Sequence, residues 1–336
     1  MTPPLLEVKG LSKHFSQRRG LLRMLSGTAA GTIPAVDDVS FTLAENETLG
    51  LVGESGCGKT TTGKAILKLM PVTAGVIRYR DRDITPLSPA EFQPLRREIQ
   101  MIFQDLDAAL NPKMRIESIL HEAIALREPE LDADDLRRRA YDLLELVNLK
   151  KNKLANFPAE LSGGEKRRIG IARVLAVRPK LIVADEPTSA LDVSIQAQVI
   201  NLLRDLQDQF GLSYLFISHD LPLVELVSHR VAVMYLGQIV ELGPAPRIAH
   251  APRHPYTSVL WSSLAEKRSQ EAVSVTAPTW GVFDFERPSA GCRFAPRCPV
   301  YAARGKPPEC TDPHNAPRLR EIEPGHVVAC HFPREP

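Results

Sequence analysis

A glycine-rich loop between an apolar segment and a helical segment constrains this 336-residue chain more than any other feature. Residues 53–60 read GESGCGKT, an instance of the pattern G-x-x-x-x-G-K-T. ETLGLV precedes it at 47–52, and helical spacing follows from Lys59 to Leu69. Glycines let backbone N–H groups turn toward phosphate oxygens, and the start of a helix adds a favourable dipole. We predict a strand, a phosphate-binding loop and a helix, in preference to a chance glycine-rich turn.

The side chains of this loop match the parts of a nucleoside triphosphate. Lys59 supplies a positive charge for the outer phosphates, the Thr60 hydroxyl can coordinate Mg²⁺, and Thr61 can contact an inner phosphate. We interpret Cys57 as a small residue of the loop. The predicted nucleotide-binding positions are Gly53, Glu54, Ser55, Gly56, Cys57, Gly58, Lys59, Thr60 and Thr61.

An acidic pair ends and follows the apolar run LIVAD at 181–185. Asp185, at the end of a predicted buried strand, can hold Mg²⁺, and Glu186 can orient and polarise an attacking water. An isolated pair of this kind more often caps the next helix. Downstream of a phosphate-binding loop, the catalytic interpretation is favoured.

A second glycine-containing motif, LSGGE, lies at residues 161–165. Ser162 and Glu165 have the spacing of a capping box, so a helix is predicted to begin here. Gly163 and Gly164 have no side chains to cover the first turn of this helix. A helix N-terminus with uncovered N–H donors binds anions. An ordinary capped helix is the alternative. The two glycines inside the box, some twenty residues before the acidic pair, favour the anion site.

Short apolar runs alternate with amphipathic segments along most of the chain. Such runs are typical of strands buried on both faces, so the alternation predicts an α/β core with parallel strands. Residues 20–34, rich in Gly, Ser and Thr, predict a loop insertion between the first two strands. The other segments are predicted strands at 7–15, 36–43, 181–185 and 214–218, a helical region at 115–149, and a hairpin around Gly237 at 230–241.

Composition gives no sign of a nucleic-acid-binding or membrane-spanning protein. The net charge is +2 and the pI about 8.3, whereas a DNA-binding protein usually concentrates Lys and Arg on one face. The beginning, MTPPLLEVKG, lacks the basic and apolar regions of a signal peptide, and no apolar run is long enough to span a membrane. We expect a cytoplasmic protein, with other subunits spanning any membrane at which it acts.

Four of the five cysteines lie in the last 45 residues. Pro becomes frequent and periodicity fades near residue 250, which predicts a domain boundary there. Disulfides are not expected in a cytosolic protein, so a metal or cluster site is the better interpretation of four local cysteines. The irregular spacing of Cys292, Cys298, Cys310 and Cys330 suits an iron–sulfur cluster or tetrahedral zinc, with unliganded thiols as the third alternative.

Taken in order along the chain, these motifs resemble those of the nucleotide-binding subunits of ABC transporters. The set comprises GESGCGKT, Gln104 in MIFQD, LSGGE (with Glu165 in place of the more usual Gln), LIVADEP, SALD at 189–192 and His219 in LFISHD. The resemblance covers about residues 5–245. It implies two cassettes facing head to tail. Each ATP then lies between one chain's phosphate-binding loop (the P-loop, GESGCGKT here) and the partner's signature loop, which corresponds to LSGGE in this chain. It also implies a mixed sheet with helices on both faces, an antiparallel β part and a helical subdomain.

The resemblance further implies roles for individual residues. Glu186 would be the catalytic base, Gln104 would contact Mg²⁺ and the lytic water, and His219 would hold the γ-phosphate. The remaining implied positions are Phe15 against adenine, Ser162, Gly163 and Gly164 on the γ-phosphate of ATP held by the partner, and Asp192 between the two sites.

Other segments are similar to the ATPases of oligopeptide and dipeptide importers. They are FQDLDAALNPKM at 103–114, SALDVSIQAQVINLL at 189–203, HPYTSVL at 254–260 and GCRFAPRCP at 291–299, with Leu106 and Ala109 in place of that branch's Pro and Ser. The long insertion before the P-loop is similar to that of the second ATPase type in these systems. The resemblance implies a nucleotide-binding domain at 1–248, with a helical subdomain at about 105–175. It also implies an extension at 249–336, which carries a [4Fe–4S] cluster in some members.

The implied partners are a sister ATPase subunit in a heterodimer, two transmembrane permease subunits and an extracytoplasmic solute-binding protein. The assembly would lie at the inner membrane, with this chain on its cytoplasmic face. A soluble cassette ATPase acting on DNA or ribosomes is an alternative, although the sequence has neither a long coiled coil nor two copies of the motifs. A bifunctional regulator with a ligand-binding tail is a third.

Overall fold

The computed structural model describes residues 3–16, 32–105, 109–268 and 291–335. Most of the predicted insertion at 20–34, and Leu106, lie outside the described residues. The strands are β1 (Leu6–Ser16), β2 (Thr32–Leu43), β3 (Thr48–Val52), β4 (Ala74–Tyr79), β5 (Arg82–Asp83), β6 (Ile99–Ile102), β7 (Leu181–Asp185), β8 (Ser213–Ile217), β9 (Arg230–Tyr235), β10 (Gln238–Pro244), β11 (Arg320–Glu323) and β12 (His326–Val328). The α-helices are α1 (Lys59–Ile66), α2 (Pro89–Phe92), α3 (Ile116–Ala125), α4 (Ala133–Leu146), α5 (Gly163–Leu175), α6 (Val193–Phe210), α7 (Leu221–Val227), α8 (Ala245–His250), α9 (Pro255–Arg268) and α10 (Pro299–Ala303).

The larger sheet has eight strands in the order β11-β12-β10-β9-β3-β8-β7-β6. Neighbours run parallel from β9 to β6, whereas β10, β12 and β11 join antiparallel. Side chains alternate along each central strand and fill a core on either face: Tyr214 and Phe216 belong to one core, Leu215 and Ile217 to the other. The predicted α/β class, with parallel strands buried on both faces, is confirmed.

The parallel strands end at the same level, and this positions the sequence motifs. In the register of the sheet, Asp185 lies beside Ile217, and Ile217 lies beside Leu51. The loops that follow β3, β6, β7 and β8 therefore leave one edge of the sheet, where ligands bind in folds of this kind. These loops carry the GESGCGKT motif, Gln104, Glu186 and His219.

A four-stranded sheet, β2-β1-β4-β5, supplies the antiparallel part. Its inner residues share a core with Leu49 and Leu51 of β3. β2 begins before the predicted start at residue 36, because its pairing with β1 continues through Pro34 to Thr32. The hairpin around Gly237 is confirmed, with Leu236 and Gly237 at φ of 43° and 91°.

The predicted helical region at 115–149 consists of two helices, α3 and α4. Asp132 caps α4 by accepting a hydrogen bond from the Asp135 N–H at 2.8 Å. Both helices pack on α5 through buried side chains such as Ile119 and Leu143.

Across the described ranges, no helix combines the length and apolarity needed to cross a membrane. The limits of the helical subdomain and the domain boundary at residue 248 stay predictions.

The C-terminal extension joins the larger sheet through β12, which pairs with β10. Beside this pairing, the carboxylate of Glu241 is fully buried. It accepts hydrogen bonds from the N–H groups of Arg253 and His254, at 2.7 and 2.9 Å, and lies 2.8 Å from His326 Nε2. Because a buried carboxylate is tolerated only when donors surround it, Glu241 ties strand β10 to two separate parts of the extension.

We expect Glu241→Gln to lower the free energy of unfolding by about 3 kcal/mol. The new amide N–H₂ group would face N–H donors whose hydrogen bonds the carboxylate accepted, and one of these donors would lose its acceptor. Urea unfolding followed by circular dichroism measures this. Glu309→Gln, at an exposed site in the same extension, is the matched control and should change stability by less than about 0.5 kcal/mol. Equal stability of the two variants would contradict the role given to Glu241.

Candidate active site

Two glycines in the 53–60 loop are required by the close approach of neighbouring backbone. Gly53 and Gly58 have φ of 152° and 114°. A Cβ atom at Gly53 would lie 2.1 Å from the Met234 carbonyl oxygen, and one at Gly58 would lie 2.3 Å from that of Ala35. Backbone atoms cannot yield as a flexible side chain can, so the loop takes this shape only with glycine at both positions.

Lys59 points into the concave side of this loop. Its side chain is buried, and Nζ donates hydrogen bonds to the carbonyl oxygens of Gly53 and Glu54 at 2.7 and 3.0 Å. Cys57 is also buried, which raises the pKa of its thiol. Of the other loop positions, Ser55 and Gly56 are exposed, whereas Glu54, Gly58, Thr60 and Thr61 are half-buried.

The two predicted Mg²⁺ ligands from the P-loop and the acidic pair meet directly. Thr60 Oγ1 donates a hydrogen bond to Asp185 Oδ1 at 2.9 Å. Burial raises the pKa of Asp185, the nearby charge of Glu186 adds to this, and the hydrogen bond from Thr60 opposes it. A hydroxyl and a carboxylate at a phosphate-binding loop are hard oxygen donors of the kind that Mg²⁺ takes, so this pair fits the ion.

The three predicted catalytic residues form one cluster. Glu186 Oε1 lies 2.8 Å from His219 Nδ1, and Glu186 Oε2 accepts a hydrogen bond from Gln104 Nε2 at 3.2 Å. Glu186 has a φ of 46°, a left-handed conformation unusual for a non-glycine residue, and its N–H donates to the Ile217 carbonyl at 2.9 Å. Backbone strain of this kind clusters at active sites, where the surrounding structure holds it in place.

The signature motif and the loop of Asp192 form a second group of neighbours. The predicted capping box is present: Ser162 N–H donates to Glu165 Oε2 at 3.1 Å, and Glu165 N–H donates to Ser162 Oγ at 3.3 Å. Ser162 and Gly163 are exposed. A Cβ atom at Gly164 would lie 2.7 Å from Ile195 Cγ2, so a small residue lets α5 approach α6, which Asp192 caps.

Phe15 lies near the end of β1 with 42% of its surface exposed. It pairs with Ile33 of β2, and Lys13 Nζ lies 5.1 Å from the centre of its ring. An exposed ring with a nearby cation offers a stacking surface for a flat aromatic ligand.

Arg167 is a residue of this site that the motifs did not single out. It is buried in α5, and its guanidinium donates to the carbonyl oxygens of Phe103, Gln104 and Ser189 at 2.9, 3.3 and 3.4 Å. It therefore links the signature helix, the Gln104 loop and the turn after Glu186. Helical spacing could have found it, because Arg167 shares the buried face of α5 with Ile171 and Val174.

The four C-terminal cysteines line one small cavity, together with His254 and His331. All four are free thiols, and burial raises the pKa of each, to about 11 for Cys310 and about 12 for Cys330. Among the residues the structure describes, however, no group of three or more His, Cys, Asp or Glu side chains is arranged to hold a metal ion. The predicted iron–sulfur cluster therefore has the right donors in one place but no support from their geometry.

The fold, which brings the 53–60 loop, Asp185 and Glu186 to one edge of the larger sheet, defines a P-loop ATPase cassette. A protein-family model described as ABC transporter matches residues 36–189, and another, described as oligopeptide/dipeptide transporter, C-terminal region, matches residues 240–304. The chain belongs to the ABC transporter family of ATP-hydrolysing cassettes, in the branch that carries this C-terminal region.

Similarity to known proteins extends over the whole chain. A putative peptide import ATP-binding protein of Brucella ovis is 43% identical over 327 residues, which cover 97% of this chain and 97% of that protein. The oligopeptide transport ATP-binding protein AppF of Bacillus subtilis is 42% identical over 340 residues, covering 98% and 97%. The dimeric structure of a post-hydrolysis state of an ATP-binding cassette bound to ADP and phosphate has a TM-score of 0.63 at 25% identity, covering 71% of this chain and 98% of that one.

We expect Arg167→Met to lower kcat for ATP hydrolysis about tenfold or more, because the Gln104 loop and the turn after Glu186 lose their shared donor and small misplacements near a reacting group are costly. Steady-state phosphate release measures it. Arg168→Met is the matched control, since Arg168 lies on the same helix and bonds Gln198 and Asn148 instead. A similar kcat for the two variants would show that Arg167 has no special part in the site.

Proposed function

We propose that this chain energises an ABC importer for peptides or related small solutes by binding and hydrolysing ATP. The observation that carries the proposal is the contact of Glu186 with both Gln104 and His219 beside the phosphate-binding loop. Relatives named as peptide import and oligopeptide transport proteins, at 42–43% identity over nearly the full chain, support the solute class.

On the nucleotide side, the P-loop backbone and Lys59 bind the phosphates, and Phe15 stacks on the adenine. Mg²⁺ would be held by Thr60, Asp185 and Gln104, and it neutralises phosphate charge when bound. The buried Asp185 carboxylate and the Thr60 hydroxyl support this donor set, because they already share a hydrogen bond of 2.9 Å.

Glu186 acts as the general base. Its carboxylate takes a proton from the attacking water, while Gln104 and His219 hold the carboxylate through its two oxygens. We also infer that His219 holds the γ-phosphate and stabilises the charge that develops on it. The left-handed conformation of Glu186 supports this role, because it fixes the direction in which the carboxylate leaves the strand end.

The signature motif serves ATP held by a second cassette. Ser162 and Gly163 are exposed at the start of α5, so their N–H groups and hydroxyl are open to a γ-phosphate from outside the chain. Asp192 lies at the start of the next helix, where it couples the two sites. The similar solved cassette is a dimer bound to ADP and phosphate, which supports this arrangement. We infer that the second cassette is a sister ATPase subunit.

The membrane subunits dock beside the Gln104 loop. A groove of about 550 Å³ lies between β6, α3 and α5, and the largely apolar Phe103 and Leu126 side chains are exposed along it. A short helix of a permease subunit fits such a groove. We infer two permease subunits, a solute-binding protein on the far side of the membrane, and a peripheral position of this chain on the cytoplasmic face.

Glu186→Gln is expected to bind ATP with near-normal affinity while its turnover falls about a hundredfold or more, because the amide cannot accept the proton of water. In cells that lack the wild-type chain, uptake of a labelled oligopeptide should return with the wild-type gene and not with Glu186→Gln. Glu130→Gln, at an exposed position in the turn between α3 and α4, is the control for both assays. Near-normal turnover would overturn the assignment of the base, and unchanged peptide uptake in the deletion strain would overturn the solute class.

The four clustered cysteines are proposed to hold a [4Fe–4S] cluster, with zinc as the alternative. Iron, sulfide and zinc analysis of anaerobically purified protein tests this, with the absorbance spectrum beside it. About four iron and four sulfide per chain is the expected result, and about one zinc would instead identify a structural metal clip. A chain purified without metal would leave four free thiols and end the proposal. Cys57→Ser, outside the cluster, should not change the metal content.

A further inference from the structure

The cysteine-containing segment of the extension contacts the nucleotide loop. Arg297, which directly precedes Cys298, donates to both carboxylate oxygens of Glu54, at 2.8 and 3.0 Å. The pair is partly shielded, with 17% of the Arg297 side chain and 32% of that of Glu54 exposed. A two-bond contact between a guanidinium and a carboxylate fixes distance and orientation together, so it holds the Glu54 side chain in one place.

A second contact from the extension reaches the backbone of the same residue. The buried hydroxyl of Tyr256, in α9, accepts a hydrogen bond from the Glu54 N–H at 3.1 Å. The Tyr256 ring packs against Tyr235 and Phe294, with ring centres 4.6 and 5.4 Å apart. Glu54 is therefore held at its backbone and its side chain by two segments of the extension that are about 40 residues apart in the sequence.

These contacts continue to the phosphate-binding lysine. The carbonyl of Glu54 accepts a hydrogen bond from Lys59 Nζ at 3.0 Å, so the residue held by the extension also holds Lys59. Arg293, next to Cys292, secures the same segment of the extension by donating to Asp37 and to the carbonyl of Leu236. The extension thus has fixed points on the cassette on both sides of Phe294.

The charge of Glu54 makes the contact with Arg297 consequential. A carboxylate in a loop that receives a triphosphate repels the phosphates, and the repulsion is strongest where water is partly excluded. Arg297 neutralises this carboxylate from the side of the extension.

We propose that Arg297 is a positioning residue for ATP binding: it neutralises Glu54 and, with Tyr256, holds the P-loop in the shape that accepts the phosphates. ATP affinity then depends on the extension being seated on the cassette. The inference rests on the proposed binding of ATP by the 53–60 loop.

The test measures the Kd and KM for MgATP and the kcat of the full chain, at low and high salt. Arg297→Gln should raise Kd and KM roughly three- to tenfold with little change in kcat, because a charged, partly shielded pair is lost. The rise should shrink at high salt, since repulsion by the unpaired Glu54 is screened. Arg297→Lys keeps the charge and should recover most of the affinity. Glu54→Gln in the Arg297→Gln background removes the repelling charge and should also lower Kd.

The matched control is Arg304→Gln, in which another arginine of the extension loses its contact with Phe332, 4.8 Å from the ring centre. Unchanged Kd in Arg297→Gln, or a rise equal to that of Arg304→Gln, would overturn the inference. So would a rise that neither Arg297→Lys nor the added Glu54→Gln reduces, because general loss of packing would then explain it. Failure of the wild-type chain to bind MgATP would instead refute the proposed function of the loop itself.

Discussion

The parallel pairing of β3 with β8, and of β8 with β7, sets the level at which the loops of the proposed site leave the larger sheet. Leu51, Ile217 and Asp185 lie at one level in the register, so the three strands release their loops together. Backbone hydrogen bonds continue past the strand ends, from Ser218 to Leu51 at 3.3 Å and from Glu186 to Ile217 at 2.9 Å. The loops are thereby joined where the chemistry is proposed to occur, and Glu186 takes its strained conformation as part of that network.

The sequence was sufficient for those features that are encoded locally. Five-residue apolar runs identified β7 and β8, and a glycine-rich pattern between a strand and a helix identified the P-loop. The capping box at Ser162 needed only four adjacent residues, and it is present. Gln104, Glu186 and His219 could be grouped without a structure through the resemblance to ABC transporter subunits. The structure supplies the physical reason, because each residue follows a strand of one parallel sheet.

Features that depend on distant partners could not be read from the sequence. Glu241 ends the predicted hairpin at 230–241, and nothing in its local sequence indicates burial. It is buried because donors from Arg253, His254 and the distant His326 surround it. Glu54 was grouped with the nucleotide-binding residues, but its carboxylate is bound by Arg297, 243 positions away. The helical region predicted at 115–149 is present, and Asp132 marks the start of its second helix by capping α4.

Arg167 shows how docking at one surface and hydrolysis at another can share a physical connection. Its guanidinium is bonded to the backbone of the Gln104 loop and to Ser189, whose N–H in turn donates to the Glu186 carbonyl at 3.1 Å. The groove proposed for the membrane subunits is lined by Phe103, another carbonyl partner of Arg167. A shift of the Gln104 loop would therefore strain the hydrogen bonds through which Arg167 holds the turn after Glu186. The Arg167 guanidinium is buried, and desolvation lowers its pKa. Because a buried charged group is costly when it loses its hydrogen-bond partners, Arg167 favours movement of the two loops together.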